Sequence, residues 1–297
     1  MAEFSFPVPA AWDGASVQAF LRAGCGLSWR MVVRLKRVEN GMCLDGRPVR
    51  TIDTVHAGQT VTIRMPQETP RIEAVPLPLS VVYEDASLLV IDKPPYIAVH
   101  PSAGRPEPTV ANGVVARLAA AGTPGSFHPV NRLDRNTSGL LLAGKDPHAV
   151  YALTGRVRKE YLAVVLGRVA GSGLIDCPLR LREGSYLTRQ VGVGGKQSRT
   201  RFTALASDGE ITLLRLRLET GRTHQIRAHM AYIGHPLAGD TMYGADTSLP
   251  RHALHCGTMA FAHPVTGDPL VFSSPLPEDM AALLTAHGLP VPPFPAC

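Results

Sequence analysis

A single carboxylate lies between two arginines in residues 131–142 (NRLDRNTSGLLL), directly before an apolar run. Positive neighbours such as Arg132 and Arg135 favour the ionised form of a carboxyl group, so Asp134 is expected to be charged at neutral pH. An ionised carboxylate serves better as a nucleophile or base than as a proton-donating acid. A structural Arg–Asp pair at a turn before a strand is the ordinary alternative, and local chemistry alone leaves it open.

A second polar segment, residues 220–230 (TGRTHQIRAHM), opens a predicted amphipathic helix. The predicted inward-facing residues are Ile226, Met230 and Ile233, and the predicted stop is Gly234. Thr223 stands at the expected start, flanked by Arg222 and Arg227, so backbone donors and positive charge meet there. They suit an anion, either an RNA phosphate or a carboxylate, and we expect a pairing with Asp134.

Histidines are numerous in this part of the chain, so a metal site has to be weighed. They are His224, His229, His235, His255 and His263. Residues five apart on a helix, such as His224 and His229, point about 140° apart, whereas one zinc ion suits imidazoles at i and i+4. No carboxylate or cysteine stands nearby at ligand spacing. We expect no metal and predict hydrogen-bonding or packing roles for these histidines.

Motifs typical of other enzyme classes are missing from the sequence. The glycine pairs near residues 122 and 192 are not followed by GKS or GKT, and no GxGxxG joins a strand to a helix, so no nucleotide cofactor is expected. There is no Gly-x-Ser-x-Gly segment, and Ser138 lacks a plausible triad order, which argues against a serine hydrolase. We expect the protein to work without a cofactor.

The composition is that of an ordinary globular protein, with 45% apolar and 18% charged residues in a chain of 297. The net charge of +6 fits a polyanionic partner, although charge alone is a weak indicator. No apolar run approaches the roughly 20 residues of a spanning helix, and the start lacks a secretory pattern. A cytoplasmic location is expected.

The five scattered cysteines contain no CxxC pair and predict neither a disulfide framework nor a thiolate zinc site.

A proline-rich stretch at residues 65–80 predicts a linker between two structured parts. The predicted divisions are a small domain over 1–68, a linker over 69–80, a main domain over 81–290 and a tail over 291–297. The main domain mixes strand and helix signals without regular βαβ alternation, which predicts an α+β fold on a largely antiparallel or mixed sheet. Strands are predicted at 87–92, 161–169 and 211–218, and an exposed basic hairpin, or a plain flexible loop, at 180–201.

A helix is predicted over residues 29–39 of the small domain, with Ser28 as its cap and Gly41 just past its end. It carries an apolar stripe and a basic ridge, each recurring at i, i+4 and i+7. The stripe is Met31, Leu35 and Val38, and the basic ridge is Arg30, Arg34 and Arg37. The usual meaning of such charges is a solvated helix face, and the pattern alone does not decide between that and a binding surface.

The chain from Leu21 onward resembles the small RNA-binding domain first described in ribosomal protein S-four. In that family a helix pair carries basic residues, and two glycine-containing strand motifs follow. The matching pieces are residues 42–46 (MCLDG) and 57–63 (AGQTVTI), with Asp45 and Gln59 where the family usually has Asn and Asp. The resemblance implies a small α/β RNA-binding domain at the amino terminus.

The main domain resembles the RluA-type family of pseudouridine synthases, whose signature H-R-L-D-x-x-T-S-G-L-L-L matches residues 131–142 except for Asn131 in place of His. Further family motifs stand in the family's order across nearly all of 80–280. They are residues 93–94 and 99–104, 159–165, 220–244, 254–267 and 274–277. The resemblance implies the pseudouridine synthase fold, with a mixed, largely antiparallel sheet and a cleft, and the isomerisation of uridine to pseudouridine in a structured RNA.

The resemblance also implies roles for particular residues. Asp134 is the expected nucleophile or base, Tyr161 the aromatic residue against the uracil ring, and Arg227 the partner that holds the Asp134 carboxylate. Arg132 is expected to contact the RNA backbone or to support its loop. Without the resemblance, Tyr161 would be taken for a core aromatic and Arg227 for a surface charge. The other expected substrate contacts are Arg222, His224, Gln225, Arg30, Arg34 and Arg37.

The expected substrate is large-subunit ribosomal RNA, with transfer RNA as the alternative, and the expected enzyme is a monomer. The target uridine has to be flipped into the pocket, at a cost of roughly a few kcal/mol. One rival is a noncatalytic RNA-binding protein on the same fold, against which the presence of Asp134, Tyr161 and Arg227 argues. Another is a nucleoside hydrolase or glycosidase, which would usually place two carboxylates around the bond, whereas only Asp134 stands in the candidate site.

Overall fold

A computed structural model of the chain describes residues 2–65, 72–102, 107–123 and 125–293. Parts of the predicted segments lie outside the described residues, including residues 1 and 66–68 of the small domain and 105–106 and 124 of the main domain. The others are 69–71 of the linker, 103–104 of the motif at 99–104, and 294–297 of the tail. Among the described residues, no helix combines the length and the apolar character that crossing a bilayer requires.

Residues 2–65, called the amino-terminal unit below, build a four-stranded antiparallel sheet in the order β1–β4–β2–β3. Its elements are β1 (Ala2–Pro7), α1 (Val17–Ala19), α2 (Trp29–Leu35), β2 (Met42–Leu44), β3 (Arg47–Pro48) and β4 (Thr60–Met65). Between α1 and α2 the chain makes a π-helical turn over Phe20–Gly24. A separate apolar core, including Phe20, Leu35 and Ile63, fills the space between helices and sheet.

Helix α2 begins as predicted but ends early. The Ser28 hydroxyl accepts a hydrogen bond from the Met31 amide at 3.2 Å, which satisfies one of the free donors of the first turn. The helix stops at Leu35, so the predicted end at residue 39 is wrong. Tight turns follow, and a Cβ placed on Gly41 would lie 2.3 Å from the Leu35 carbonyl oxygen. The chain folds back too closely there for the helix to continue.

The rest of the described chain is organised by a ten-stranded sheet. Its order is β10–β13–β14–β9–β15–β8–β6–β5, with β16 beside β15 and β7 beside β8. The strands are β5 (Ser80–Glu84), β6 (Leu88–Lys93), β7 (His128–Pro129), β8 (Ser138–Gly144), β9 (Arg158–Leu166), β10 (Ser172–Asp176), β13 (Arg199–Ser207), β14 (Ile211–Leu218), β15 (Leu254–Ala262) and β16 (Pro269–Ser273). Only β8 and β15 pair in parallel in this described sheet. The predicted α+β class with a mixed, largely antiparallel sheet is confirmed.

Four helices and a small hairpin complete the described structure. They are α3 (Val110–Ala120), α4 (Pro147–Leu153), α5 (Gln225–Tyr232), α6 (Glu278–Ala286), and the paired strands β11 (Leu179–Leu181) and β12 (Arg189–Val191). The hairpin begins one residue before the predicted basic segment 180–201, and its Tyr186 is fully exposed to solvent. The predicted strand at 211–218 is correct to the residue, whereas the one at 161–169 begins and ends three residues earlier.

Strand β8 is buried along its whole length and lies in the middle of the sheet. Its apolar run, Leu140 to Leu142, belongs to the main core. Gly139 has a positive φ of 104°, and a Cβ there would lie 2.3 Å from the Cys256 carbonyl oxygen, so only glycine allows the close approach of β8 to β15. The loop just before this fixed strand carries Asp134.

Candidate active site

The loop between β7 and β8 holds Asp134 through contacts made by its neighbours. The Asp134 carbonyl accepts a hydrogen bond from the Thr137 amide at 3.0 Å, which closes a turn. Buried Asn131 donates from Nδ2 to the Leu140 carbonyl at 3.2 Å and accepts from the Leu142 amide at 2.8 Å. Its side chain therefore binds the start of the loop to β8, and Asn131 supports the loop instead of facing a ligand.

Lys93 fixes the same loop from the other side. Its ammonium group is fully buried and donates to three carbonyl oxygens, those of Pro94 at 2.7 Å, Ile97 at 3.0 Å and Arg135 at 3.0 Å. Burial lowers the pKa of Lys93 to about 7, and the charge of Arg251 acts in the same direction. Lys93 thus joins the segment after β6 to the loop that follows Asp134.

A third anchor comes from Arg251, whose side chain is completely buried. Its Nη1 donates to the Asn136 carbonyl at 3.1 Å, and its Nε and Nη2 bind both carboxylate oxygens of Asp279 at 2.6 and 2.8 Å. Asp279 lies in the first turn of α6. The carboxy-terminal helix is therefore connected to the Asp134 loop through one guanidinium.

Arg227 contacts Asp134, but its main partner is another carboxylate. Its Nη1 lies 3.4 Å from Oδ2 of Asp134, whose side chain is 25% exposed. Its Nε and Nη2 bind Asp240 in a bidentate pair at 2.7 and 2.8 Å, and both side chains of that pair are buried. Burial acts to lower the pKa of Arg227, but Asp240, followed by Asp134, outweighs burial and raises it. The guanidinium is therefore charged and held in place mainly by Asp240.

Helix α5 starts at Gln225, and its N-cap is His224 instead of the predicted Thr223. His224 adopts a left-handed conformation with φ of 55° and makes no side-chain cap. Its Nε2 lies 3.8 Å from Oδ2 of Asp134, and its Nδ1 hydrogen-bonds the Tyr243 hydroxyl at 3.1 Å. Burial lowers the pKa of His224, although the charge of Asp134 acts to raise it. At neutral pH the imidazole beside the carboxylate is therefore neutral.

Tyr243 links this group to the β11–β12 hairpin. Its hydroxyl accepts a hydrogen bond from the Arg189 amide at 2.8 Å, and its ring lies 5.0 Å from the Arg227 guanidinium carbon, within the range of a cation–π contact. Neither Asp240 nor Tyr243 was singled out in the sequence. Both lie in the motif at 220–244, but their long irregular segment gives no periodic signal of where their side chains point.

Tyr161 lies in β9, paired with Cys256 of β15, and is 5% exposed. Burial is the main cause that raises the pKa of Tyr161 well above its usual value, and Cys256 and the charge of Asp134 add to it. The phenol is therefore protonated at neutral pH.

The remaining residues that were predicted to contact the substrate include exposed arginines and a glutamine that is hydrogen-bonded within the protein. Arg132 is exposed, and Arg222 is exposed with its Nε 3.3 Å from the Gln197 carbonyl. Gln225 is buried, and its amide makes four hydrogen bonds within the protein, to Thr220, Arg222, Arg199 and Thr200. These bonds use its whole capacity, so the structure gives Gln225 a structural role in place of the predicted substrate contact.

Arg135, which flanks Asp134 in the sequence, pairs instead with Glu107 at 3.2 Å. The expectation that Arg135 helps to keep Asp134 ionised stays a prediction. The basic ridge of Arg30, Arg34 and Arg37 lies on and just after α2, in the amino-terminal unit. Arg30 and Arg37 are exposed, and Arg34 is half-buried.

The histidines of this region have protein partners. His229 bridges Thr200 at 2.9 Å and the Cys177 carbonyl at 3.0 Å, and His255 bonds Ser138 at 3.0 Å. His235 and His263 bond the Leu166 carbonyl and Asp85. The predicted hydrogen-bonding role is therefore confirmed for all four.

The assembled site is one accessible carboxylate against a buried, charged guanidinium and a neutral imidazole, both of which contact the protonated phenol of Tyr243. Because Asp240 already neutralises much of the Arg227 charge, Asp134 is oriented by a weak contact and keeps an oxygen free. Such a carboxylate can act on an electrophilic carbon or remove a proton. The described residues around it offer no second free carboxylate for an acid–base pair across a glycosidic bond.

Comparison with known proteins gives consistent results. The family model described as RNA pseudouridylate synthase matches residues 87–232, a range that contains Asp134, Tyr161 and Arg227. An uncharacterized RNA pseudouridine synthase of Bacillus subtilis, YjbO, is 37% identical over 272 residues, covering 89% of this chain and 96% of the relative. Ribosomal large subunit pseudouridine synthase D of Xanthomonas campestris is 38% identical over 268 residues, covering 82% and 80%.

A solved structure, human RNA pseudouridylate synthase domain containing 4, superimposes with a TM-score of 0.58 at 22% identity. It covers 72% of this chain and 94% of the human one. At that identity the likeness concerns the fold alone.

Proposed function

Because the chain belongs to the RNA pseudouridine synthase family, and is therefore an RNA-modifying isomerase, we propose that it converts specific uridines of large-subunit ribosomal RNA to pseudouridine. Several relatives that match along about four fifths of their length are named ribosomal large subunit pseudouridine synthase D, and these names favour ribosomal over transfer RNA. The predicted cytoplasmic location and monomeric state stay predictions.

The observation that carries the proposed site is the contact between Asp134 Oδ2 and Arg227 Nη1 at 3.4 Å. Asp134 is proposed as the group that acts on the substrate, Arg227 as the group that orients it, and Tyr161 as the aromatic surface for uracil. Of the residues near Asp134, Arg132, Arg222 and His224 have positions suited to contact the RNA. Gln225 is not proposed as a contact, since its amide is fully bonded within the protein.

The chemistry is an internal transfer of the base. The bond between N1 of uracil and C1′ of ribose breaks, the ring turns over, C5 bonds to C1′, and the proton on C5 leaves while N1 gains one. Asp134 serves either by attacking C1′ or by removing a ribose proton, and both routes need the ionised carboxylate. The detached uracil must be retained without water, which the buried surroundings of Tyr161 and Arg227 favour.

The amino-terminal unit is proposed to add affinity for RNA phosphates through the basic ridge. Arg30 and Arg37 are exposed and make no ion pair among the described residues, so their charge is available to a polyanion. The resemblance to the RNA-binding domain of ribosomal protein S-four supports the same role. The division between this unit and the main domain at residues 69–80 is part of the proposal.

Mapping of pseudouridine in cellular RNA tests the substrate. Total RNA, containing both ribosomal and transfer RNA, would be compared from cells with the gene, without it, and without it but carrying Asp134→Asn. We expect one or a few positions in large-subunit RNA to lose pseudouridine in the second and third strains. Positions lost only from transfer RNA would contradict the ribosomal assignment, and positions retained with Asp134→Asn would contradict the role of Asp134.

A further inference from the structure

Trp29 is the only exposed aromatic side chain among described residues 2–65. It opens helix α2, and 48% of it is accessible to solvent. Trp12, in contrast, is half-buried and packs edge-on against Phe20 with ring centroids 5.9 Å apart. An exposed indole keeps a large apolar surface in water, so it suggests a partner that covers the ring.

Positive charge surrounds this indole. The Arg22 guanidinium carbon lies 5.9 Å and the Lys36 ammonium 5.7 Å from the ring centroid, both within the range of cation–π contacts. The exposed members of the basic ridge, Arg30 and Arg37, belong to the same short segment of chain. Among the residues that the structure describes, no carboxylate pairs with Arg22, Arg30, Lys36 or Arg37.

Several arginines of the large sheet, in contrast, have carboxylate partners within the protein. On the large sheet, Arg199 and Arg201 both pair with Glu219, and Arg217 pairs with Glu160. Those charges neutralise one another across neighbouring strands. The cations around Trp29 have no such internal partners in the described chain, so their charge remains available to an external anion.

We propose that Trp29 is a stacking platform for an unpaired base of the RNA, while the surrounding cations bind the adjoining phosphates. The inference rests on the proposed function, because that function makes RNA the ligand. Contacts to a duplex backbone alone would need the cations but not an exposed indole. A polyanion that also presents flat π-faces is single-stranded nucleic acid, and aromatic side chains stack with any of its bases. The amino-terminal unit would therefore select a single-stranded segment beside the modified site.

Intrinsic fluorescence offers a direct test, because the chain contains only two tryptophans. The full-length protein would be titrated with oligouridylate and with a short RNA duplex of the same phosphate number. We expect oligouridylate to quench the emission much more than the duplex. Trp29→Ala should abolish that quenching and weaken oligouridylate binding about five-fold or more, since one stacked base contributes about 1–3 kcal/mol.

Matched variants separate stacking from charge and from folding defects. Trp29→Leu keeps an apolar side chain without the π-face and should bind as weakly as Trp29→Ala. Ile52→Ala removes another exposed apolar side chain, 71% accessible, from the same unit and should bind like the wild type. Trp29→Ala should leave the salt dependence unchanged, whereas Arg30→Ala should lower its slope by roughly 0.7 for each lost single-strand phosphate contact.

The stacking role is overturned if Trp29→Ala and Trp29→Leu bind oligouridylate as tightly as the wild type. It is equally overturned if the duplex quenches as strongly as the single strand. Isomerisation of a large-subunit ribosomal transcript by the wild type, measured in parallel, tests the proposed function by itself. Failure there would leave the fluorescence result intact, so the two ideas fail independently.

Discussion

Replacing Asp240 by asparagine removes the charge that neutralises the buried guanidinium of Arg227. The two bonds from Arg227 to Asp240 are 2.7 and 2.8 Å long, between side chains 6% and 1% exposed, whereas Asp134 lies farther away at 3.4 Å. Removal of one partner of a buried pair costs about 3–5 kcal/mol, because the other charge remains buried and uncompensated. At roughly 2–4 °C per kcal/mol, the Tm of Asp240→Asn should fall by about 6–20 °C.

A double-mutant cycle assigns this loss to the pair. Urea unfolding would be measured for Arg227→Met, Asp240→Leu and the double variant, and for the matched cycle with Asp134→Leu. We expect a coupling energy of at least about 2 kcal/mol for Arg227 with Asp240, and about 1 kcal/mol or less for Arg227 with the more accessible Asp134. A coupling with Asp134 as large as that with Asp240 would refute the view that Asp240 is the structural partner.

Three further predictions concern the Asp134 loop, His252 and the amino-terminal unit. His252 is buried, and its Nε2 lies 2.9 Å from the Thr137 hydroxyl, at the end of the Asp134 loop. Asn131→Ala leaves the buried Leu142 amide without its acceptor, so the free energy of unfolding in urea should fall by about 1–3 kcal/mol, and wild-type stability would count against the loop-anchoring role. Burial lowers the pKa of His252 to about 3. Between pH 6.5 and 3 the unfolded chain therefore binds a proton at this histidine that the folded protein does not. The free energy of unfolding should fall across this range as the pH falls, by up to roughly 1.4 kcal/mol per pH unit. His252→Gln should therefore flatten the fall in unfolding free energy between pH 6.5 and 4, and an unchanged slope would show that His252 does not titrate with unfolding. Deletion of residues 1–68 should reduce the salt dependence of RNA binding, and an identical slope in a filter-binding titration would remove the basic ridge from the interface.

Local patterns in the sequence predicted the parts of the fold that depend on local forces. The second half of β14 alternates leucine with Arg215 and Arg217, which marks a strand, because there the leucines face the interior and the two arginines are exposed. Ser28 marked the start of α2 through its own side chain, but the end of the helix depended on how closely Gly41 returns to Leu35. That approach is a tertiary contact with no signature in the helical spacing.

In the candidate site, too, the sequence indicated some residues, whereas contacts made by the tertiary fold could not be predicted from it. Asp134 and Arg227 were expected to meet, and the structure brings their side chains together across 93 positions of sequence. Asp240 was missed because an irregular segment, not a periodic element, turns it back onto Arg227. Gln225 was expected to contact the substrate only through the family resemblance, and its type gives no sign that its amide joins β13 to α5. The ion pair between Arg135 and Glu107 is likewise a long-range contact that the sequence did not indicate.

The role of Asp134 is tested most directly by release of tritium from C5 of uridine in a ribosomal transcript, measured for the wild type and Asp134→Asn under single-turnover conditions. Asparagine keeps the size of the side chain but not its negative charge, so the variant should bind the transcript with nearly wild-type affinity and release no tritium. Release at the wild-type rate would show that another group does the chemistry.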